Sequence, residues 1–144
     1  MFTGTDHAIC VLSQFDLTVN PPLGIITVYS WEGQFQCGFL KYLKKVLELL
    51  QSFCSRTGLT PVMIGSESDA HRLQSVVPQL VPNTVIAAGR LTLFETYALI
   101  GRAAFHIGMD SVGSHMAILQ NVKSLTIFGP TNPRKITRLD KRHI

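Results

Sequence analysis

The sequence predicts an α/β fold: a parallel sheet of about five strands with flanking helices, layered α/β/α. Three observations predict it. From about residue 24, apolar runs of strand length alternate with longer segments of helical period, as expected when helices cover both faces of a parallel sheet. The polar, Gly- and Ser-containing segments gather after the strands, whereas the segments before them (NPPLG, TGLTP, PNT, NVKS) read as ordinary turns. The length, 144 residues, suits one domain with a real core.

The elements follow in order. GIITVYS, 24–30, is the first strand, entered through the break NPPLG. The loop WEGQFQCG leads to a helix over 39–56, with Leu40, Leu43, Leu47 and Leu50 at helical spacing and Gly58 as its stop. TPVMIGS is the second strand. A helix opened by Ser66 or Ser68 then closes near Pro78. NTVIAAG, 83–89, is a short strand. LTLFETYALIGRA is a helix, with Thr92 and Glu95 at capping-box spacing. AAFHIGM, 103–109, reads as a buried strand, SHMAILQ as a short helix and KSLTIFG as the last clear strand before PTNP. The expected organisation is an N-terminal arm or linker remnant (1–23), one α/β domain (24–133) and a basic C-terminal tail (134–144).

Composition narrows the function classes. Hydrophobic residues make up 46% and charged residues 15%, and no apolar stretch approaches the roughly 18 residues of a membrane span. MFTGTDHAIC does not read as a secretory signal. Cys10, Cys37 and Cys54 are odd in number and lack paired metal-ligand spacing, so reduced thiols in a cytoplasmic protein, and no metal site, are expected. The net charge of +4 resides wholly in the tail, where Arg134, Lys135, Arg138, Lys141 and Arg142 oppose Asp140. The rest of the chain is neutral. A basic end without interleaved aromatics is a solvated tail first, so nucleic-acid binding is not expected; attraction to anionic membrane lipids is the other reading.

In an open parallel sheet, ligands bind beyond the carboxyl ends of the strands, where helix N-termini aim free N–H groups into one crevice. The corner DSVGSH falls at such an end. Ser111, Gly113 and Ser114 suit a sharp turn that offers N–H groups and hydroxyls to an anion. An ordinary helix cap explains the same residues, and a lone His115 is more often packed or exposed than a ligand. FGPTNP, after the next strand, is a second corner beside the first.

The order G-x-D-S-x-G-x-H-x-A, an apolar strand and then F-G-P-T-x-P resembles the C-terminal half of the ADP-heptose:lipopolysaccharide heptosyltransferases, glycosyltransferase family 9. The likeness covers residues 25–138, and LTLFETYALIGRA resembles the family's L-x-E-x-x-A-L-I-x-x-A helix. It implies one Rossmann-like half of a GT-B fold, the half that holds the nucleotide-sugar donor, ADP-heptose or another nucleotide-diphosphate sugar, with no cofactor besides. By the same resemblance Asp110, Ser111, Gly113, Ser114 and His115 line the donor diphosphate and sugar, and Gly129 and Thr131 lie nearby. Asp69, with Glu67 as the alternative, meets the ribose; Leu91 packs on the base; Ser30 approaches the phosphates.

The chain departs from the family pattern in three ways. Val112 stands where the family has Gly, WEGQFQCG carries no cation, and only about 24 residues precede the first strand, where the family keeps its acceptor domain and catalytic Asp. The expectation is therefore a donor-binding unit with no catalytic residue of its own, transferring no sugar unaided. It would partner a separate acceptor-domain chain or itself, in the cytoplasm or at the inner face of the cytoplasmic membrane. The alternative is a non-catalytic nucleotide-binding or interaction module derived from that fold.

Overall fold

A computed structural model describes residues 23–27 and 39–128. Within them, strands and helices alternate: β1 Leu23–Thr27, α1 Phe39–Thr57, β2 Thr60–Ile64, α2 Glu67–Leu80, β3 Val85–Ile86, α3 Leu93–Gly101, β4 Ala103–Met109, α4 Val112–Leu119 and β5 Ser124–Ile127. All strand pairs are parallel, in the order β3-β2-β1-β4-β5. The chain builds outward from β1 in one direction through β2 and β3. It then returns to the other side of β1 with β4 and β5.

Strand periodicity sorts the core into two faces. On one side Val62, Ile64 and Ala87 pack with Leu99, Ile100, Met116, Ala117 and Val122, beneath α3 and α4. On the other, Met63 and Ala88 pack with Leu47, Leu50, Cys54, Leu73, Val77 and Val81, beneath α1 and α2. Successive residues 62, 63 and 64 thus serve opposite clusters, because side chains alternate across a strand. Burial on both faces explains why β2 reads as an unbroken apolar run. Phe53 of α1 meets Phe105 of β4 at a ring-centroid distance of 5.2 Å. The three-layer α/β/α class expected from the sequence is the one observed.

Helix ends follow local chemistry. Gly58 adopts φ +69° and its N–H closes on the Cys54 carbonyl at 2.9 Å, the left-handed stop expected for α1. Ser66, not Ser68, caps α2. Helix α2 runs through Pro78 to Leu80, because the Val81 N–H closes on Val77 O at 2.8 Å and Val77 and Val81 are both buried in the core. Thr92 caps α3, with the Thr92–Glu95 capping box in place. Helix α4 begins at Val112, two residues earlier than its spacing suggested, since Ser111 is the N-cap and Val112 and Gly113 join the first turn.

β3 is shorter than NTVIAAG suggested. Only Val85 and Ile86 pair with β2, at Val62 and Met63. Beyond them the chain still follows β2 through single bonds, Ala87 N–H to Met63 O at 2.8 Å and Gly89 N–H to Gly65 O at 3.0 Å. Gly89 then turns away with φ +71°. A Cβ there would stand 2.7 Å from Glu67 Cα, so this loop lies directly against the start of α2.

Candidate functional site

The strand order reverses between β1 and β4. In a sheet of this kind the crevice for ligands opens at the carboxyl ends of the strands flanking the reversal. The β4–α4 corner, 110–115, occupies one side of that point. The segment after β1, with Ser30, lies outside the described residues, as do Gly129 and Thr131 after β5; the side chains of Leu40 and Leu43 are outside them too.

Asp110 follows β4 directly, and its N–H donates to Ile127 O of β5 at 3.1 Å. Its carboxylate Oδ1 lies 3.6 Å from His115 Nε2, with the His115 side chain 43% exposed. His115 lies four positions after Ser111, and its N–H makes the first turn's bond to Ser111 O at 3.2 Å. One helical turn thereby sets imidazole and carboxylate side by side at the mouth of the corner, and when protonated His115 forms an ion pair with Asp110.

The serines are wired inward. The hydroxyls of Ser111 and Ser114 both donate to the carbonyl of Met109, at 3.1 and 2.6 Å. Ser111 is the N-cap residue of α4, yet its side chain makes no cap bond. By contrast α2 and α3 are both closed by complete capping boxes. Ser114 is buried, so its hydroxyl belongs to the packing beneath the corner, and what it offers the helix start is its N–H. Gly113 is buried beside it.

Val112 fits this backbone. Ser111 is extended, φ −158°, and the positive-φ positions among the described residues are Gly58, Asn83, Gly89 and Asn121, so the corner demands no left-handed residue at 112. The Val112 side chain instead leaves the first turn of α4 partly exposed to solvent.

At the neighbouring β2–α2 corner, Asp69 is 1% exposed. Its Oδ2 accepts from the Ser66 N–H at 2.8 Å and the Ser66 hydroxyl at 2.7 Å, while Oδ1 is buried without a hydrogen-bond partner. Glu67 is the exposed carboxylate here, its backbone pressed against Gly89. Leu91, in the loop before α3, is half-buried against the α3/α4 cluster. The structure thus gathers Asp110, Ser111, Gly113, Ser114 and His115 into one turn, and sets Glu67, Asp69 and Leu91 on the β2–β3 side of the sheet.

Sequence reasoning missed His106. It is fully buried on β4, and burial lowers its pKa from 6.5 to about 4, which makes it a neutral core imidazole at pH 7. Its place inside the apolar strand AAFHIGM, between Phe105 and Ile107, was the available signal. Among the described residues, no three His, Cys, Asp or Glu side chains stand together as a metal site, and no helix is long and apolar enough to cross a membrane.

The family model of glycosyltransferase family 9 (heptosyltransferase) matches residues 41–144. No curated protein matches the chain. Among solved structures, the chain is similar to the glycosyl transferase family 9 protein from Veillonella parvula DSM 2008, at 22% identity and a TM-score of 0.77, covering 100% of this chain and 40% of that one. It is also similar to E. coli ADP-heptose LPS heptosyltransferase II, at 18% identity and a TM-score of 0.75, covering 100% of this chain and 44% of that one. A third is E. coli heptosyltransferase WaaC with ADP-2-deoxy-2-fluoro heptose, at 14% identity and a TM-score of 0.66, covering 95% and 40%. The chain therefore spans less than half the length of these structures, and at such identities they share its fold.

Proposed function

The chain belongs to glycosyltransferase family 9, and from that premise we propose that it binds the nucleotide-diphosphate-sugar donor of a heptosyltransferase-like enzyme of lipopolysaccharide core synthesis. The observation that carries this reading is the start of α4. Among the described residues it alone, of the three helix starts with a known N-cap, has no side chain closing its first turn, and it stands where the sheet order reverses. The helix dipole and the N–H groups of its first turn favour an anion there by roughly 0.3–1 kcal/mol, with charge-assisted hydrogen bonds adding to it.

In this reading the donor diphosphate sits against 112–114, and His115 faces it while Asp110 holds the imidazole in place. Asp110 acts through His115, since a carboxylate beside phosphate is repelled. As the sugar leaves, negative charge gathers on the departing diphosphate; preformed N–H groups, with the His115 imidazole beside them, lower the energy of that charge. Leu91 packs on the base. Glu67 is the carboxylate available to ribose hydroxyls, because Asp69 already serves the α2 cap. Ser30, Gly129 and Thr131 complete the site by family resemblance. Donor binding is the activity proposed for these 144 residues. Contact with a second copy of the chain or with a partner chain is supported by the exposed apolar residues Leu93, Phe94 (81% exposed) and Leu119. The setting is the cytoplasm, at the inner face of the membrane.

Calorimetric titration of the purified chain with ADP, UDP and ADP-heptose tests the reading. Heat with ADP and ADP-heptose is expected. Silence from all three ligands sinks it and favours the alternative, a module that kept the fold and lost the ligand.

A further inference from the structure

We infer that the exposed face of α3 is an interface with a second copy of this chain, the two helices packing antiparallel about a two-fold axis near Tyr97. The inference rests on the contact reading above, which it commits to one partner, and is independent of donor binding.

Helix α3, Leu93–Gly101, buries one side and exposes the other. Leu99 and Ile100 are fully buried in the core. Leu93, Phe94 and Tyr97, neighbours on the helix surface at one-turn spacing, are 63%, 81% and 39% exposed. Towards the other end Gly101 offers no side chain, and the Gln120 amide lies across it while donating to Tyr97 O. That contact brings the end of α4 alongside, with Leu119 77% exposed. The four large side chains present roughly 500 Å² of apolar surface, towards the upper end of the largest patch on an ordinary monomer. A standard interface covers about 800 Å² on each partner, so these side chains supply most of one and Gly101, Gln120 and Arg102 extend it.

The face is complementary to itself, which selects a second copy as its occupant. A two-fold axis near Tyr97 sets Leu93 and Phe94 of one copy level with Gly101 and Arg102 of the other. Large side chains then meet the low floor at Gly101, bordered by Leu119, and Tyr97 meets its counterpart at the axis. Charge decides the orientation. Glu95 lies in the first turn of α3, and Arg102 is its exposed C-cap. Parallel helices would bring like charges together; antiparallel helices place each guanidinium beside the other copy's Phe94 ring and Glu95 carboxylate, with the helix dipoles opposed. Because the carboxyl ends of the strands lie at the N-terminal end of α3, the two crevices open at opposite ends of such a dimer.

Sedimentation velocity of the whole chain at about 1–200 µM, the range in which an interface of this size assembles, tests the inference. A monomer–dimer equilibrium is expected. Phe94→Asp puts a charge into the contact and should weaken the dimer at least about tenfold. Arg102→Glu sets carboxylates against each other at both ends and should weaken it about threefold or more. The control is Leu49→Asp: Leu49 is 72% exposed on α1, on the opposite face of the sheet, and its replacement should leave dimerisation within about twofold of the unaltered chain. A monomer at every concentration overturns the inference, as does growth beyond the dimer, because an isologous contact closes on itself. So does undiminished dimerisation of Phe94→Asp or of Arg102→Glu, and so does an equal loss in Leu49→Asp. The runs contain no nucleotide, so the donor reading stands or falls separately, by calorimetry.

Discussion

Gly58 and Gly89 share almost the same backbone, φ +69° and +71°, but not the same surroundings. A Cβ on Gly58 meets nothing within 4 Å, whereas one on Gly89 stands 2.7 Å from Glu67 Cα and 3.3 Å from Glu67 N, both backbone atoms. Replacing either glycine by alanine incurs the left-handed penalty of about 1–2 kcal/mol. The substitution also restricts the unfolded chain, which returns about 0.4–1 kcal/mol. Gly58→Ala should therefore cost up to about 1.6 kcal/mol. Gly89→Ala adds an overlap that only a backbone shift relieves, about 1–3 kcal/mol more, for a total of about 1–4.6 kcal/mol. Urea unfolding of both variants, with unchanged m-values, measures the difference. Because the dihedral penalty cancels between them, the gap reports the close approach of the β3–α3 loop to α2. Equal losses in the two variants would refute that contact, and with it the placement of Glu67 beneath the loop.

Further outcomes follow from the same structure. His106 stays neutral in the folded chain down to about pH 4, whereas the unfolded imidazole protonates near 6.5. Between those values the unfolded state binds more protons, so stability is lost as pH falls through that window, by about 3 kcal/mol in all; His106→Gln should flatten this part of a urea-midpoint profile, and an unaltered difference between pH 7 and 5 would count against it. Thr92→Ala removes the hydroxyl that accepts the Glu95 N–H and should cost about 1 kcal/mol by the same measurement. Cys54 is buried and burial raises its thiol pKa, so mass spectrometry after alkylation should find it modified at the rate of unfolding rather than at that of a free thiol.

The layered fold was legible in the sequence because its signals are local and repeat. Leu47 and Leu50 at helical spacing, the unbroken run at 61–64 and the stop at Gly58 each act within a few residues. The capping box of Thr92 and Glu95 was equally plain, being a property of four consecutive positions. The details that failed depend on neighbours distant in sequence. NTVIAAG looks like a seven-residue strand, but β2 supplies pairing for only two, and Gly89 bends away where Glu67 blocks it. The helix around Ser114 starts at Val112, with Ser111 as its N-cap and both hydroxyls turned to Met109 O, an acceptor choice that spacing does not reveal. Asp69 and Glu67 were indistinguishable as acidic residues after a strand; only the capping box tells the buried one from the exposed one.

The position of β1 has a consequence for synthesis on the ribosome. Its partners are β2, from Leu23 against Thr60, and β4, from Thr27 against Gly108. Of the five described strands, the one at the middle of the sheet is thus made first and must wait for about eighty residues before its second edge is paired. At roughly 5–20 residues per second that interval lasts about 4–16 s, during which a row of backbone donors and acceptors faces outward. The half-sheet of β1, β2 and β3 can assemble early from nearby segments, while its completion is a late, long-range event that also brings the β4–α4 corner into being. Nascent chains stalled before residue 103 would carry an unpaired inner edge, the place where a chaperone or a neighbouring nascent chain would attach.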